Sequence, residues 1–336
     1  MNANQKKKVK QPPLLFDESQ GLVDRIEKAY GYKLICYWTS TRGSVCDNDV
    51  IALYELLQKT GKGGTVGLFI KSYGGDVESS LKIINLIRTY YKKVVALVPL
   101  QCASAATMIA LGADEIKMGP LAYLTAIDSS LTHDLSPIDQ RENRKVSVSQ
   151  DELQRIVKLW NHNKTKDDSN PYTEIFRYIH PLVVGAIDRS SSLSTKICTE
   201  ILSYHFKNLD DAERISRKLN SDYPSHSYPI TDREARRIGL KIGSLDPKVN
   251  GLLLDLNKTY SEMAQRAITD FDESNYHDNE IANIIEAKGI QIYYQNEKDW
   301  NYIKEERRWQ ELNDESSWRV NEFRNGKQVR SILHIR

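Results

Sequence analysis

The chain has 336 residues, 40% hydrophobic and 27% charged, which is enough for one large core and a smaller appendage. Its 47 basic and 45 acidic side chains leave a formal charge of +2, so no overall field marks nucleic acid or an acidic surface as an obligatory partner. No uninterrupted apolar run approaches the roughly 18 residues of a membrane span, and Cys36, Cys46, Cys102 and Cys198 form neither a CxxC pair nor a zinc-ligand spacing with histidines.

Scattered cysteines suit a reducing cytoplasm, and no metal or cofactor is called for. The start, MNANQKKKVKQPP, passes from lysines to prolines without an apolar signal core. Lys6 to Lys10 suit peripheral contact with an anionic membrane surface, but the simpler reading of residues 1–20 is a disordered, solubilising basic tail.

Helical spacing follows over 21–30, then a short buried strand, KLICYWT, over 33–39. Asp47 or Asn48 caps a helix that runs through Leu53 and Leu57 until Gly61, Gly63 and Gly64 end it. Residues 65–71 read as a strand, Ser72-Tyr73-Gly74-Gly75-Asp76 as a loop and 77–91 as an amphipathic helix. The unit repeats: a strand at 93–98, small residues around Ser104, an apolar helix to Leu111, a strand at 114–118 and an edge segment at 123–127. Such alternation predicts an α/β fold with a largely parallel sheet, its loops gathered on one face where ligands bind.

Beyond residue 148 the pattern turns helical, with Leu153, Ile156, Val157 and Trp160 spaced for one buried face. A polar break over 161–170 precedes helices at 172–180, 190–203 and 209–220, the turn Tyr223 to Pro229, and a short helix from Thr231. An amphipathic helix to Arg266 leads into an acidic linker over 270–278 and a Trp- and Tyr-rich end. Residues 21–250 are thus expected to form the main domain, and 251–336 a helix, a linker and a small α+β or β module. Trp300, Trp309 and Trp318 beside Arg307 and Arg308 have the composition of a nucleic-acid stacking surface, but aromatics so spaced more simply fill a small core, and no nucleic acid is expected.

Two elements carry chemistry. Paired glycines after a buried strand let backbone N–H groups face a ligand, although they also make an ordinary tight turn. In Gln101-Cys-Ala-Ser-Ala-Ala-Thr107 one hydroxyl, that of Ser104, opens a helix among small side chains, where it serves equally as a helix cap or as a nucleophile beside the Ala105 N–H.

Together these elements resemble the ClpP and signal-peptide-peptidase A class of serine peptidases, which share the ClpP/crotonase fold. In that class a Gly-Gly oxyanion loop is followed some thirty residues later by an Ala-Ser nucleophile, as Gly74-Gly75 and Ala103-Ser104 are here. The combination of CASAATMIALGADEIKMGP, HPLVVGAIDRS at 180–190 and YPSHSYPITDREARRIGL at 223–240 resembles more closely the prokaryotic serine dehydrogenase proteinases, over about residues 30–245. The resemblance implies a β-α-β superhelix with a helical continuation, a homo-oligomer, and a peptide or protein substrate added as a strand beside the Gly-Gly loop. It also implies Ser104 as nucleophile with Gly74, Gly75 and Ala105 N–H groups as the oxyanion hole.

The base is left open. Residues 124–129 hold no histidine, which speaks against a ClpP-type triad, whereas Lys145 resembles the position of the lysine in Ser-Lys relatives and is the first choice. His180, His226 and His133 are alternatives, and Asp128 orients a base or closes a turn. A Ser-Lys peptidase is therefore expected, against an inactive scaffold of the same fold or, further off, a crotonase-type acyl-CoA enzyme.

Overall fold

The computed structural model describes residues 8–128, 130–139, 144–162 and 170–335. The expected tail is shorter than 20 residues, because helix α1 (Phe16–Tyr30) begins within it, burying Phe16, Ser19, Val23 and Ile26 along one stripe and ending at Gly31, whose left-handed φ of 74° closes it. The preceding segment is also held, with Lys10 N–H donating to Thr269 Oγ1 at 2.9 Å. Lys6 and Lys7 lie outside the described residues.

The α/β units follow in order: β1 (Lys33–Thr39), α2 (Asp47–Thr60), β2 (Gly63–Lys71), α3 (Val77–Tyr90), β3 (Tyr91–Val98), β4 (Gln101–Cys102), α4 (Ala105–Leu111), β5 (Glu115–Met118) and β6 (Tyr123–Leu124). Short pairings β7 (Ser130–Leu131) with β10 (Val148–Ser149), and β8 (Ile138–Asp139) with β9 (Arg144–Lys145), lead into α5 (Gln150–His162), α6 (Pro171–Ile175) and α7 (Pro181–Ser203). Then come α8 (Leu209–Ser221), α9 (Asp232–Ile238), β11 (Ile242–Ser244) and α10 (Pro247–Met263). The chain ends in β12 (Ala267–Asp270), β13 (Asn275–Ala287), β14 (Ile290–Ile303), β15 (Arg308–Asp314), β16 (Ser317–Arg324) and β17 (Lys327–Leu333).

Mixed α/β architecture is thus observed, centred on one sheet of order β11-β5-β3-β2-β1-β13-β14-β16-β17. Its first half is parallel, as expected. The rest is antiparallel, because β13 pairs with β1 and carries the C-terminal strands into the same sheet. Alternation along β1 divides the core: Ile35 and Tyr37 join the helices α2, α3, α4, α7 and α8 on one face, while Leu34, Cys36 and Trp38 join α1 and α10 on the other.

Two local expectations need correction. The acidic stretch 270–278 is no linker but the β12–β13 hairpin, and Asp278 is buried there because Arg266 and Arg42 neutralise it. In α5 only Leu153 is buried; Ile156 is 45% exposed, so that helix has a narrower inner face than its spacing suggests.

Candidate active site

The loop after β2 and the turn before α4 meet. A Cβ placed on Gly74, whose φ is +100°, would stand 2.6 Å from Ser104 Cβ and 2.7 Å from the Ala103 carbonyl, so only glycine permits this approach. Backbone bonds fasten the junction, with Ser72 N–H donating to Gln101 O and Ala103 N–H to Ser72 O.

Ser104 itself has φ 53° and ψ −122°, a conformation that side-chain-bearing residues avoid. What holds it is a short relay: Ser104 N–H donates to Thr125 Oγ1 at 2.9 Å, Thr125 N–H to Thr107 Oγ1, and the Thr107 hydroxyl to the Cys102 carbonyl. Both threonines are buried. Thr125 and Thr107 were not singled out from the sequence, where nothing distinguishes them from ordinary core hydroxyls.

Amide directions around the glycine pair follow from strand alternation. Val45 N–H donates to Gly74 O and Asp76 N–H to Val45 O, both at 2.8 Å, forming a parallel bridge at Gly75. Residues of an extended segment present their backbone groups to alternate sides, so the Gly75 N–H and C=O point away from Val45, and Gly75 lines a cavity together with Ser104. The Gly74 N–H is directed inward, to Ser72 Oγ at 3.1 Å. Of the three amides expected to face an oxyanion, that leaves Gly75 and Ala105, the latter heading α4 where no intrahelical acceptor exists.

The cavity beside Ser104 measures about 350 Å³. Besides Ser104 and Gly75 it is walled by Tyr73, Asp76, Glu78 and, from distant parts of the chain, Asp128, Ser190, Ser194 and His226. Antiparallel bonds between Leu124 and Ile230 lay the 223–230 turn along the edge segment. His226 Nδ1 thereby comes within 2.8 Å of Asp128 Oδ1. The hydrogen bond to Asp128 raises the imidazole above its ordinary 6.5, against the opposing effect of burial. The His226 side chain is half exposed, Asp128 only 17%. Among the described residues Ser104 and His226 wall one cavity without a direct hydrogen bond between them.

The other expected bases lie elsewhere. Lys145 does not line this cavity; its exposed ammonium pairs with Asp134 at 2.6 Å. His180 caps α7, its Nδ1 accepting from Leu182 N–H, and His133 Nδ1 closes a turn by accepting from Leu135 N–H. Among the described residues the desolvated lysine is Lys71, 6% exposed and lowered to about 8 by burial. Its Nζ donates to Thr39 O and lies over the Trp38 and Tyr73 rings, outside the Ser104 cavity. Among the described residues no three His, Cys, Asp or Glu side chains are grouped to hold a metal ion, and no helix is long and apolar enough to cross a membrane.

Residues 18–178 match the Clp protease family model. The match includes the Gly74-Gly75 loop, Ser104 and Asp128 and stops before His226. Uncharacterized protein MJ0137 of Methanocaldococcus jannaschii is 24% identical over 212 residues, an alignment spanning 61% of this chain and 62% of that protein's length. Among solved structures, a mutant of the 1510-N membrane-bound stomatin-specific protease in complex with a substrate peptide is 15% identical, with a TM-score of 0.37 over 64% of this chain and 78% of its own. ClpP1 from Listeria monocytogenes is also 15% identical, with a TM-score of 0.34 over 69% of this chain and 99% of its own.

Proposed function

We propose that the protein is a serine peptidase in which Ser104 is the nucleophile, His226 the general base and Asp128 the group that orients it. The observation that carries this reading is the convergence of a strained serine, a glycine whose amide is turned away from Val45 and a carboxylate-bound histidine on one cavity of about 350 Å³. Each of the three sequence blocks that resemble the serine dehydrogenase proteinases contributes to that cavity, through Ser104, Ser190 and His226, which supports assignment to that family.

In this mechanism Asp128 accepts from Nδ1–H and leaves Nε2 of His226 to take the Ser104 hydroxyl proton as Oγ attacks a peptide carbonyl. Gly75 and Ala105 N–H groups receive the developing oxyanion. His226 then protonates the departing amine, and the resulting acyl-enzyme is cleared by a water that gives its proton to the same imidazole, restoring Ser104. The Ser104–His226 hydrogen bond then forms as substrate binds, since catalytic hydrogen bonds are often long or absent before substrate arrives and the His226 side chain is half exposed. With Val45 on one edge of the Gly74–Asp76 segment, a peptide substrate pairs on the opposite edge, at the Gly75 carbonyl. A homo-oligomer accompanies this reading, and the four unpaired cysteines fit a reducing compartment.

Reaction with a fluorophosphonate tests the proposal. Wild-type protein is expected to take one covalent label, on Ser104, and Ser104→Ala none. A folded wild-type protein that takes no label would sink the peptidase in favour of the scaffold reading. Label at a residue other than Ser104 would discard this site.

A further inference from the structure

The C-terminal sheet reaches the oxyanion loop. Residues 40–46 run between β13 and the Gly74–Gly75 turn and are fixed on both sides. Toward β13, Ser40 N–H donates to Ala282 O at 2.8 Å, and Asn283 Nδ2 donates to Ser44 O and to Asp49 Oδ1, both at 2.8 Å. Asp49, fully buried at the start of α2, accepts the Cys46 N–H at 2.9 Å on its other oxygen and also the Tyr37 hydroxyl. The carbonyl before Val45 and the amide after it are thus clamped by two side chains that are bonded to each other. Gly43 is pressed so closely on β13 that a Cβ there would stand 2.2 Å from Ala282 O.

Val45 lies between these clamps, and its own N–H and C=O hold Gly74 and Asp76. Among the described residues these two bonds hold the peptide groups on either side of Gly75, while the Gly74 N–H is held from the other side by Ser72 Oγ. Resting on the proposed peptidase reading, we infer that Asn283, through Asp49 and Val45, is a positioning residue for the Gly75 oxyanion donor, which makes β13 a working part of the active site.

An oxyanion donor acts on the transition state more than on bound substrate. In Asn283→Ala the rate of Ser104 phosphonylation is expected to fall roughly 10- to 100-fold, short of the roughly 100- to 1,000-fold for outright loss of such a donor. With a cleavable peptide, the loss is expected in kcat and not in KM. Tyr260→Phe serves as the control for mere destabilisation: it removes the hydrogen bond from α10 to Glu286, three residues further along the same strand, and is expected to lower the melting temperature with the labelling rate kept. A folded Asn283→Ala protein that labels at the wild-type rate overturns the inference, as does Tyr260→Phe slowing labelling to the same extent.

Native-state hydrogen exchange on wild-type protein decides the matter if the variant does not fold, and equally if the wild type takes no label, since it needs no activity. The amides of Val45 and Asp76 are expected to open together with those of β13. Their exchange while β13 stays protected overturns the inference, whereas failure of wild-type labelling alone counts against the peptidase and not against this coupling.

Discussion

Asp128→Asn probes the proposed base most sharply. The carboxylate has two effects on His226: it selects the tautomer by accepting from Nδ1–H, and it stabilises the imidazolium that forms as Ser104 gives up its proton. An asparagine of the same shape can donate its NH2 group to Nδ1, which leaves the imidazole proton on Nε2, the wrong tautomer for taking the Ser104 proton. In a buried triad that exchange costs about 10⁴ in kcat. Here the His226 side chain is 50% exposed, so water shares the interaction with Nδ1, and a loss of roughly 100- to 1,000-fold is expected.

The pH profile supplies the second reading of the same variant. Because Asp128 raises His226 above 6.5, the neutral imidazole accumulates only at higher pH, and the second-order rate of phosphonylation should climb and level off above that raised value. Without the carboxylate, burial, which lowers an imidazole, outweighs the smaller raising effect of the residue-128 backbone, so the midpoint moves down as the plateau falls. Linkage adds a check on stability: the pair stabilises the fold fully below about 6.5, and that contribution fades as pH rises through the folded-state value. A folded Asp128→Asn protein with wild-type rate and an unmoved midpoint would refute the assignment of His226.

Three further outcomes are expected. Lys145→Ala should leave phosphonylation within about twofold and the melting temperature nearly unchanged, since its exposed pairing with Asp134 is that of a surface ion pair; a drop of about 100-fold would return the base to Lys145. Gly74→Ala should lower labelling by about 100-fold or more and destabilise by about 1–3 kcal/mol, because its Cβ would stand 2.6 Å from Ser104 Cβ at a φ of +100°; thermal melting and phosphonylation rate measure both. Ser104→Gly should melt a few degrees above Ser104→Ala, since glycine accepts φ 53° and ψ −122° without the roughly 1–3 kcal/mol that a side chain costs there; equal melting temperatures would show that Ser104 carries no strain.

The local units were legible because each is written in neighbouring residues. The buried run of β2, the glycines that end it and the helix that follows are one continuous signal, and so is the small-residue turn that opens α4 at Ser104. The Asp128–His226 pair is separated by 98 positions and created by a bridge between Leu124 and Ile230, neither of which carries a mark of it. Residues 270–278 read as a linker because acidic side chains are poor strand formers in isolation. Arg42 and Arg266 supply the charge that lets Asp278 be buried, and Arg42 comes from the far end of the chain. The reach of β13 to the Gly-Gly loop is of the same kind: Asn283 and Asp49 are 234 positions apart.

Lys71 shows why perturbation of a titratable group does not by itself locate a base. It has the attributes sought in a Ser-Lys peptidase: burial, an ammonium lowered to about 8 and no carboxylate partner among the described residues. Yet its Nζ is engaged by the Thr39 carbonyl and by two aromatic faces, and it sits outside the cavity that holds Ser104. Its neighbours give it another role. Thr39 donates its hydroxyl to Ser72, and Ser72 accepts the Gly74 N–H, so Lys71 braces the root of the same loop from the face opposite to Val45. A general base must reach the proton it removes, and of the histidine and lysine side chains weighed for that task only His226 lines the Ser104 cavity.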